Sequence, residues 1–295
     1  MRQHNKDLLI GFAIGGLFYY VTRSYKSFAT TTPKVDKCGT AMLYPTVGKE
    51  WFSSAWNNKK KRSIKENGLD PSDKSLGYTA GQPNAPLVIN GDGTATTGKT
   101  SSARIYVKGP WTNTEQTVYY RIRGSTRNIQ IRSRSDHPAM NGKPGPCGFG
   151  DYLAKWGDGG KVSIEVEVLH PIYHRHLNEK PYSLPINKWV GIKQITRTMG
   201  GNKVFVEAYV NETPENQANW IKQTDFTFDG TNVPIDVGSY DNIRAGCVGK
   251  QDKVANNLAA STLWLKPGIW SWLRLDDTDT VDLKCWSIRE IAPVT

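Results

Sequence analysis

The sequence predicts an all-β chain: a two-sheet antiparallel sandwich preceded by a short N-terminal hydrophobic helix. Three observations carry that expectation. From residue 87 onward, stretches that alternate apolar and polar residues recur between Gly, Pro and Asn turns. No convincing amphipathic helix pattern interrupts them. The 295 residues include 28 Gly and 16 Pro, a turn-rich composition, beside ten Trp and thirteen Tyr whose flat rings suit a β core.

In chain order, the first element follows the basic Met1–Lys6: Leu8–Thr22 is uncharged and mostly apolar, and Arg23 and Lys26 come after it. At about 15 residues the run falls short of the roughly 20 that a bilayer span needs, although Tyr19 and Tyr20 suit an interfacial belt. Three readings stay open. They are an uncleaved anchor, favoured by the basic residues ahead of Ser27-Phe28-Ala29, a cleaved signal ending at that triplet, and a buried helix. The first two place the rest outside the cell, membrane-anchored through the N-terminus or secreted. Residues 1–29 are therefore read as anchor or signal, 30–86 as stalk, first strand and basic loop, and 87–295 as the sandwich.

Cys38, Cys147, Cys247 and Cys285 contain no C-x-x-C and no Cys/His ligand spacing, so two disulfides are expected and a zinc site is not. Three connectivities are possible. Cys147–Cys247 with Cys38–Cys285 is preferred, because the second pair would join the first and last segments of a closed sandwich. The sequon Asn211-Glu212-Thr213 is compatible with surface exposure.

A count of 38 Lys and Arg against 27 Asp and Glu gives +11, a surface that attracts polyanions such as nucleic acid, anionic lipid or acidic polysaccharide. The Lys59–Arg62 run reads as a solvated loop, and no RNA- or DNA-binding signature appears, so no nucleic-acid partner is expected. Asn90–Thr100 fits the P-loop pattern G-x-x-x-x-G-K-[ST]. A P-loop needs a helix behind it, however, and Ala103, Ile105 and Val107 alternate with Arg104, Tyr106 and Lys108 until Pro110. The stretch is read as a turn between strands, and no cofactor is expected.

The strands that follow each carry one apolar and one polar face. Val118, Tyr120 and Ile122 oppose Tyr119, Arg121 and Arg123; Ile129 and Ile131 oppose Gln130, Arg132 and Arg134. Val162, Ile164, Val166 and Val168 oppose Glu165 and Glu167, and Val204, Val206, Ala208 and Val210 oppose Glu207 and Tyr209. Neighbouring strands of this kind would build a polar, aromatic groove across one sheet, suited to an extended sugar chain.

The segments WTNTEQTVYYRIRG, HPAMNGKPGPCGFGDY, LPINKWVGIKQI, KVFVEAYVNET and VDLKCWSIREI together resemble concanavalin A-like jelly rolls of the alginate-lyase-like (polysaccharide lyase) type, found in secreted or surface proteins of microbes and their viruses. The likeness spans residues 87 to 293 and implies a jelly roll whose concave sheet holds an acidic polysaccharide. It implies β-elimination chemistry, in which Arg or Gln neutralises a uronate while His, Tyr or Lys moves protons. His137, His170, Tyr209 and Arg132 are the catalytic candidates; Tyr119, Arg121, Gln130, Arg134, Glu165, Glu167, Lys193 and Glu207 are the candidates for binding substrate. Three departures stand beside these candidates. Arg132–His137 is a loose counterpart of the family's R-[ST]-E strand, no Q-I-H is present, and Val248 stands where the family has a tyrosine. Glu165 and Glu167 do not complete a glucanase pattern either, and an i, i+2 Glu pair facing Arg reads as an ion-pair ladder. His170, His174 and His176 read as a turn and not as metal ligands. The expected function is polysaccharide binding with or without cleavage; the alternative is a structural or adhesive surface protein on the same sandwich.

Overall fold

The computed structural model describes residues 34–135, 151–169, 172–229, 265 and 267–294. Their strands, numbered along the chain, form two antiparallel sheets. One runs β15 (Ile221–Phe228), β14 (Lys203–Asn211), β13 (Val190–Met199), β8 (Thr114–Ile122), β17 (Val281–Ile291), β6 (Thr94–Thr97), β5 (Leu87–Ile89), β2 (Arg62–Ile64), and β1 (Thr46–Phe52) also pairs with β17. The other runs β12 (Ile172–Pro181), β11 (Lys161–Leu169), β10 (Asp151–Trp156), β9 (Asn128–Ser135), β16 (Gly268–Thr278), β7 (Thr100–Trp111), β4 (Asp73–Ala80), β3 (Gly68–Asp70). This is a two-sheet antiparallel jelly-roll sandwich. β1 to β4 come from the stretch read as stalk, first strand and basic loop, so that stretch supplies strands to both sheets.

Alternation decides which side chains go inside. Val118, Tyr120 and Ile122 of β8, Ile129 and Ile131 of β9, Val162, Ile164 and Val166 of β11, and Val204, Val206 and Ala208 of β14 are fully buried between the sheets. Burying one such aliphatic or aromatic side chain stabilises by about 1.5–3 kcal/mol.

Two bulges break the alternation, and both matter below. Across β9 and β16 the register slips between Trp270 and Trp272, and Arg134 takes the left-handed conformation at φ 53°. Across β8 and β17 it slips between Lys284 and Ser287, with Cys285 at φ 52°. One extra residue in a strand re-aims the side chains around it. Trp286 therefore stays in the core while Cys285 turns to Cys38, its disulfide partner, with Cα atoms 5.7 Å apart.

The P-loop look-alike is a pair of turns. Gly91 and Gly93 have positive φ between β5 and β6, Asp92 Oδ1 accepts from the Thr94 amide and hydroxyl, and Thr100 opens β7 where a phosphate cradle would need a helix. The N-terminal apolar run and the Cys147–Cys247 pair lie outside the described residues. Among the described residues no helix is long and apolar enough to cross a membrane.

Candidate functional site

The outward side of the eight-stranded sheet carries Arg132 at its centre, opposite Leu153 on one side and Trp272 on the other. Its guanidinium is 4.7 Å from the Trp272 ring centroid. Nε and Nη2 donate to Gln130 Oε1 at 2.9 and 2.7 Å, and Nη1 donates to Asp151 and to Glu167 Oε2 at 3.0 Å. Lys155 Nζ lies 2.8 Å from Glu165, and Arg274 Nε 2.7 Å from Asp276. The aromatic side of this row is Tyr106, Trp270 and Trp272, an apolar cluster separate from the main core. Gly77 makes room for it, because a Cβ there would sit 2.1 Å from the Tyr106 ring. The row is buried around Arg132, itself at 1 % exposure, while Arg274 and Asp276 are partly exposed. Burial raises the Asp151 carboxyl, Arg132 draws it down and Glu167 pushes it up again, leaving it at about 6.

The outward side of the nine-stranded sheet has two halves. Successive β8–β17 pairs Arg121–Asp282, Tyr119–Lys284, Thr117–Ser287 and Glu115–Arg289 lie along it. Over the Glu115 end runs a strap, residues 34–46. The Leu43 and Tyr44 amides donate to Glu115 at 3.2 and 3.0 Å, Lys193 Nζ donates to Ala41 O at 2.8 Å, and Arg289 Nη1 donates to Tyr44 O at 3.1 Å. Ser287 Oγ donates to Asp36 Oδ2, and Cys38–Cys285 fastens the strap covalently. Beneath it Lys193 is 2.5 Å from Glu115 at 0 % exposure, and Arg289 Nη2 is 2.7 Å from Glu115. Burial alone would raise Glu115, but these two cations hold it below the ordinary carboxylate range. Burial lowers Lys193 against the opposing pull of Glu115.

The Arg121 end is open. A cleft of about 480 Å³ lies there, lined by Val88, Asn90, Thr94, Thr96 and Asp282 and by the charged Lys61, Asp92, Arg121 and Arg123. Asp282 is 3 % exposed and accepts from Arg121 Nη2 at 2.8 Å, from Arg123 Nη2, and from Thr96 Oγ1 at 2.9 Å. Burial pushes its carboxyl up, but the Arg123 and Arg121 donors hold it below its ordinary value. The guanidiniums are aimed by this shared carboxylate, yet the two side chains remain 37 % and 49 % exposed. Arg121 and Lys284 also approach the half-buried Trp189 ring, at 4.9 and 4.4 Å from its centroid. Cations outnumber carboxylates in this end of the face, so it is an anion-attracting recess with hydroxyl and amide groups on its walls.

The residues singled out in the sequence are thus divided between two surfaces. Gln130, Arg132, Glu165 and Glu167 share the eight-stranded face; Tyr119, Arg121, Lys193, Glu207 and Tyr209 share the nine-stranded one. One groove spanning Arg121, Arg132, Arg134, Glu167, Lys193 and Tyr209 does not form. Arg134 leaves its expected row at the bulge, donating instead to Thr112 O at 2.6 Å and to Asn113 and Thr198 at 2.9 Å. Glu165 and Glu167 are not presented to solvent: they are buried in the ion-pair ladder that their spacing favours, with Lys155 and Arg132 as partners. Tyr119 is buried against Trp220, and Glu207, also buried, accepts from Tyr209 Oη at 2.8 Å. Asn211 of the sequon is fully buried, its side chain donating to Asn216 O and accepting from Thr213, which corrects the surface expectation. His137 and His170 lie outside the described residues, and among the described residues no His, Cys, Asp and Glu group is arranged to hold a metal.

Sequence reasoning passed over Lys61, Asp282, Trp272 and Asp151. The first belongs to a run that reads as loop, and the others owe their positions to cross-strand pairing.

No family model and no curated protein sequence matches the chain. Among solved structures it is similar to a protein with galectin-like fold from Bacillus subtilis (TM-score 0.45, 9 % identity, 85 % of this chain and 100 % of that one). It is similar also to the carbohydrate-binding module CBM66 from Bacillus subtilis (TM-score 0.36, 12 % identity, 66 % of this chain and 86 % of that one). A third is the PL-14 alginate lyase from Aplysia kurodai (TM-score 0.38, 8 % identity, 79 % of this chain and 99 % of that one). At these similarities the function has to be read from this chain's own geometry.

Proposed function

We propose that the protein binds an acidic polysaccharide, outside the cell, in the open cleft of the nine-stranded sheet. The observation that carries this is the pair Arg121 and Arg123, aimed by one buried carboxylate and still half in solvent beside Lys61. A guanidinium so held can meet a sugar carboxylate with two parallel hydrogen bonds at little further entropic cost. Asn90, Thr94 and Thr96 offer partners for sugar hydroxyls, and Asp92 in the lining disfavours a densely charged phosphate backbone. The extracellular setting is supported by Cys38–Cys285, a bridge expected to persist in an oxidising compartment.

Binding without bond cleavage is the activity this arrangement supports. Tyr209 would need an easily lost proton to act as a base, whereas burial and the hydrogen bond to Glu207 raise its pKa. Arg132 already faces two carboxylates and Gln130. The test is calorimetric titration of a uronate tetrasaccharide and a neutral glucan of equal length into the full chain. Binding of the uronate alone, weakened about ten- to hundredfold in Arg123→Ala, is the expected result. Equal affinity for both sugars, or an unaltered Arg123→Ala, would refute the assignment.

A further inference from the structure

We propose that the strap is a latched lid, and that Glu115, Lys193, Arg289 and Tyr209 form the far half of the same glycan-binding face. The inference rests on the cleft being the near half.

Continuity is the first ground. The pairs from Arg121–Asp282 to Glu115–Arg289 occupy one side of the same two strands, and six residues of strand span roughly 20 Å. Between the cleft and the strap stands the Tyr119–Lys284 pair of the same row, with Lys284 beside the Trp189 ring.

Composition is the second. Burying an ion pair is at best even with a hydrophobic replacement, so a charged row under cover needs polar partners, and here the strap supplies several of them. This face keeps Lys193, Glu115 and Arg289 buried together under 34–46. The strap meets them through main-chain groups, the Ala41 and Tyr44 carbonyls and the Leu43 and Tyr44 amides, and through the Thr46 hydroxyl, which accepts from Arg289 Nη1 at 2.8 Å; these are donors and acceptors of the kind a hydroxylated sugar carries. The Leu43 side chain is left partly in solvent. Trp220 supplies a ring beside this row, 4.5 Å from Lys193 Nζ, and its buried Nε1 has no hydrogen-bond partner among the described residues. The strap satisfies several of the row's polar groups in the manner of a bound sugar.

The latch is the third. Cys285 is re-aimed by its bulge to meet Cys38, and this is the strap's covalent fastening to the face it covers. Release takes a dithiol reductant: two electrons pass to the disulfide, Cys38 and Cys285 become thiols, and the reductant becomes a disulfide.

The experiment measures affinity for uronate oligosaccharides of increasing length, from disaccharide to octasaccharide, on the full chain. It is done on oxidised protein, on protein reduced with dithiothreitol, and on Cys38→Ser/Cys285→Ser, with amide exchange at Leu43 and Tyr44 reporting strap release. In the oxidised chain affinity levels off at short lengths. In the unlatched forms exchange at those amides speeds up and the octasaccharide alone gains about tenfold. Lys193→Met or Tyr209→Phe in the unlatched background removes that gain. Released amides with unchanged length dependence overturn the proposal; so do amides that stay protected after reduction, and so does loss of the whole fold, which would make the strap part of the core. Absence of short-oligosaccharide binding to oxidised protein is a separate outcome, and counts against the cleft.

Discussion

On the eight-stranded sheet Arg132 faces two carboxylates and a glutamine, whereas on the nine-stranded sheet Arg121 and Arg123 divide one carboxylate between them. Residue types on the two faces are alike. What differs is the ratio of acceptors to guanidiniums and the access of water. Arg132, with acceptors from its own sheet in excess and exposure near zero, is fixed as structure; Arg121 and Arg123, with acceptors short and their side chains partly in water, retain capacity for a ligand.

The strongest way to break this contrast is Arg132→Ala. It strands Asp151 and Glu167 in the interior and should destabilise by about 3–5 kcal/mol, whereas Arg121→Ala, screened by solvent, should cost less than about 1 kcal/mol. Equal falls in melting temperature would erase the distinction. Next comes pH. Because the folded Asp151 is raised to about 6, its contribution is full below the unfolded value near 3.9 and lost as pH rises through 6. Asp151→Asn should flatten a decline on the order of 2–3 kcal/mol between about pH 4 and 6, read from denaturant midpoints. A slope identical to that of the parent chain would show that another group sets it. Packing on the same face is probed by Gly77→Ala, which drives a Cβ into the Tyr106 ring and should cost about 1–3 kcal/mol. On the opposite face Lys61→Ala should leave the melting temperature alone and weaken uronate binding severalfold; a stability loss without a binding loss would make the cleft mere scaffolding. The smallest effect belongs to Lys99→Ala: its side chain is 77 % exposed, and neither melting nor ligand affinity should move.

The sandwich was legible because strand alternation is a local property: Val118, Ile131, Val166 and Val206 face inward as their neighbours in sequence predict. The Cys38–Cys285 pairing was legible for a global reason, the closure of a sandwich by its first and last segments. Which polar rows would share a face was not legible. That depends on strand order, which puts β9 and β8 in different sheets although they are consecutive in the chain. Bulges are also silent in sequence, and one of them sends Arg134 away from Arg132. Lys61 joins the cleft because β2 pairs with β5, a contact that no motif announces.

The bridge from Cys38 to the middle of the nine-stranded sheet has a mechanical consequence. A pull on the chain ahead of Cys38 does not peel the strap or β1 away from an edge; it passes through a covalent bond into β17, which is flanked by β8 and β6. Three residues along that strand lies Asp282, the carboxylate that aims Arg121 and Arg123. Tension between the N-terminal side and a ligand held in the cleft would therefore travel mainly along a few residues of one central strand, loading its neighbours in shear and sparing the weaker edges of the sandwich.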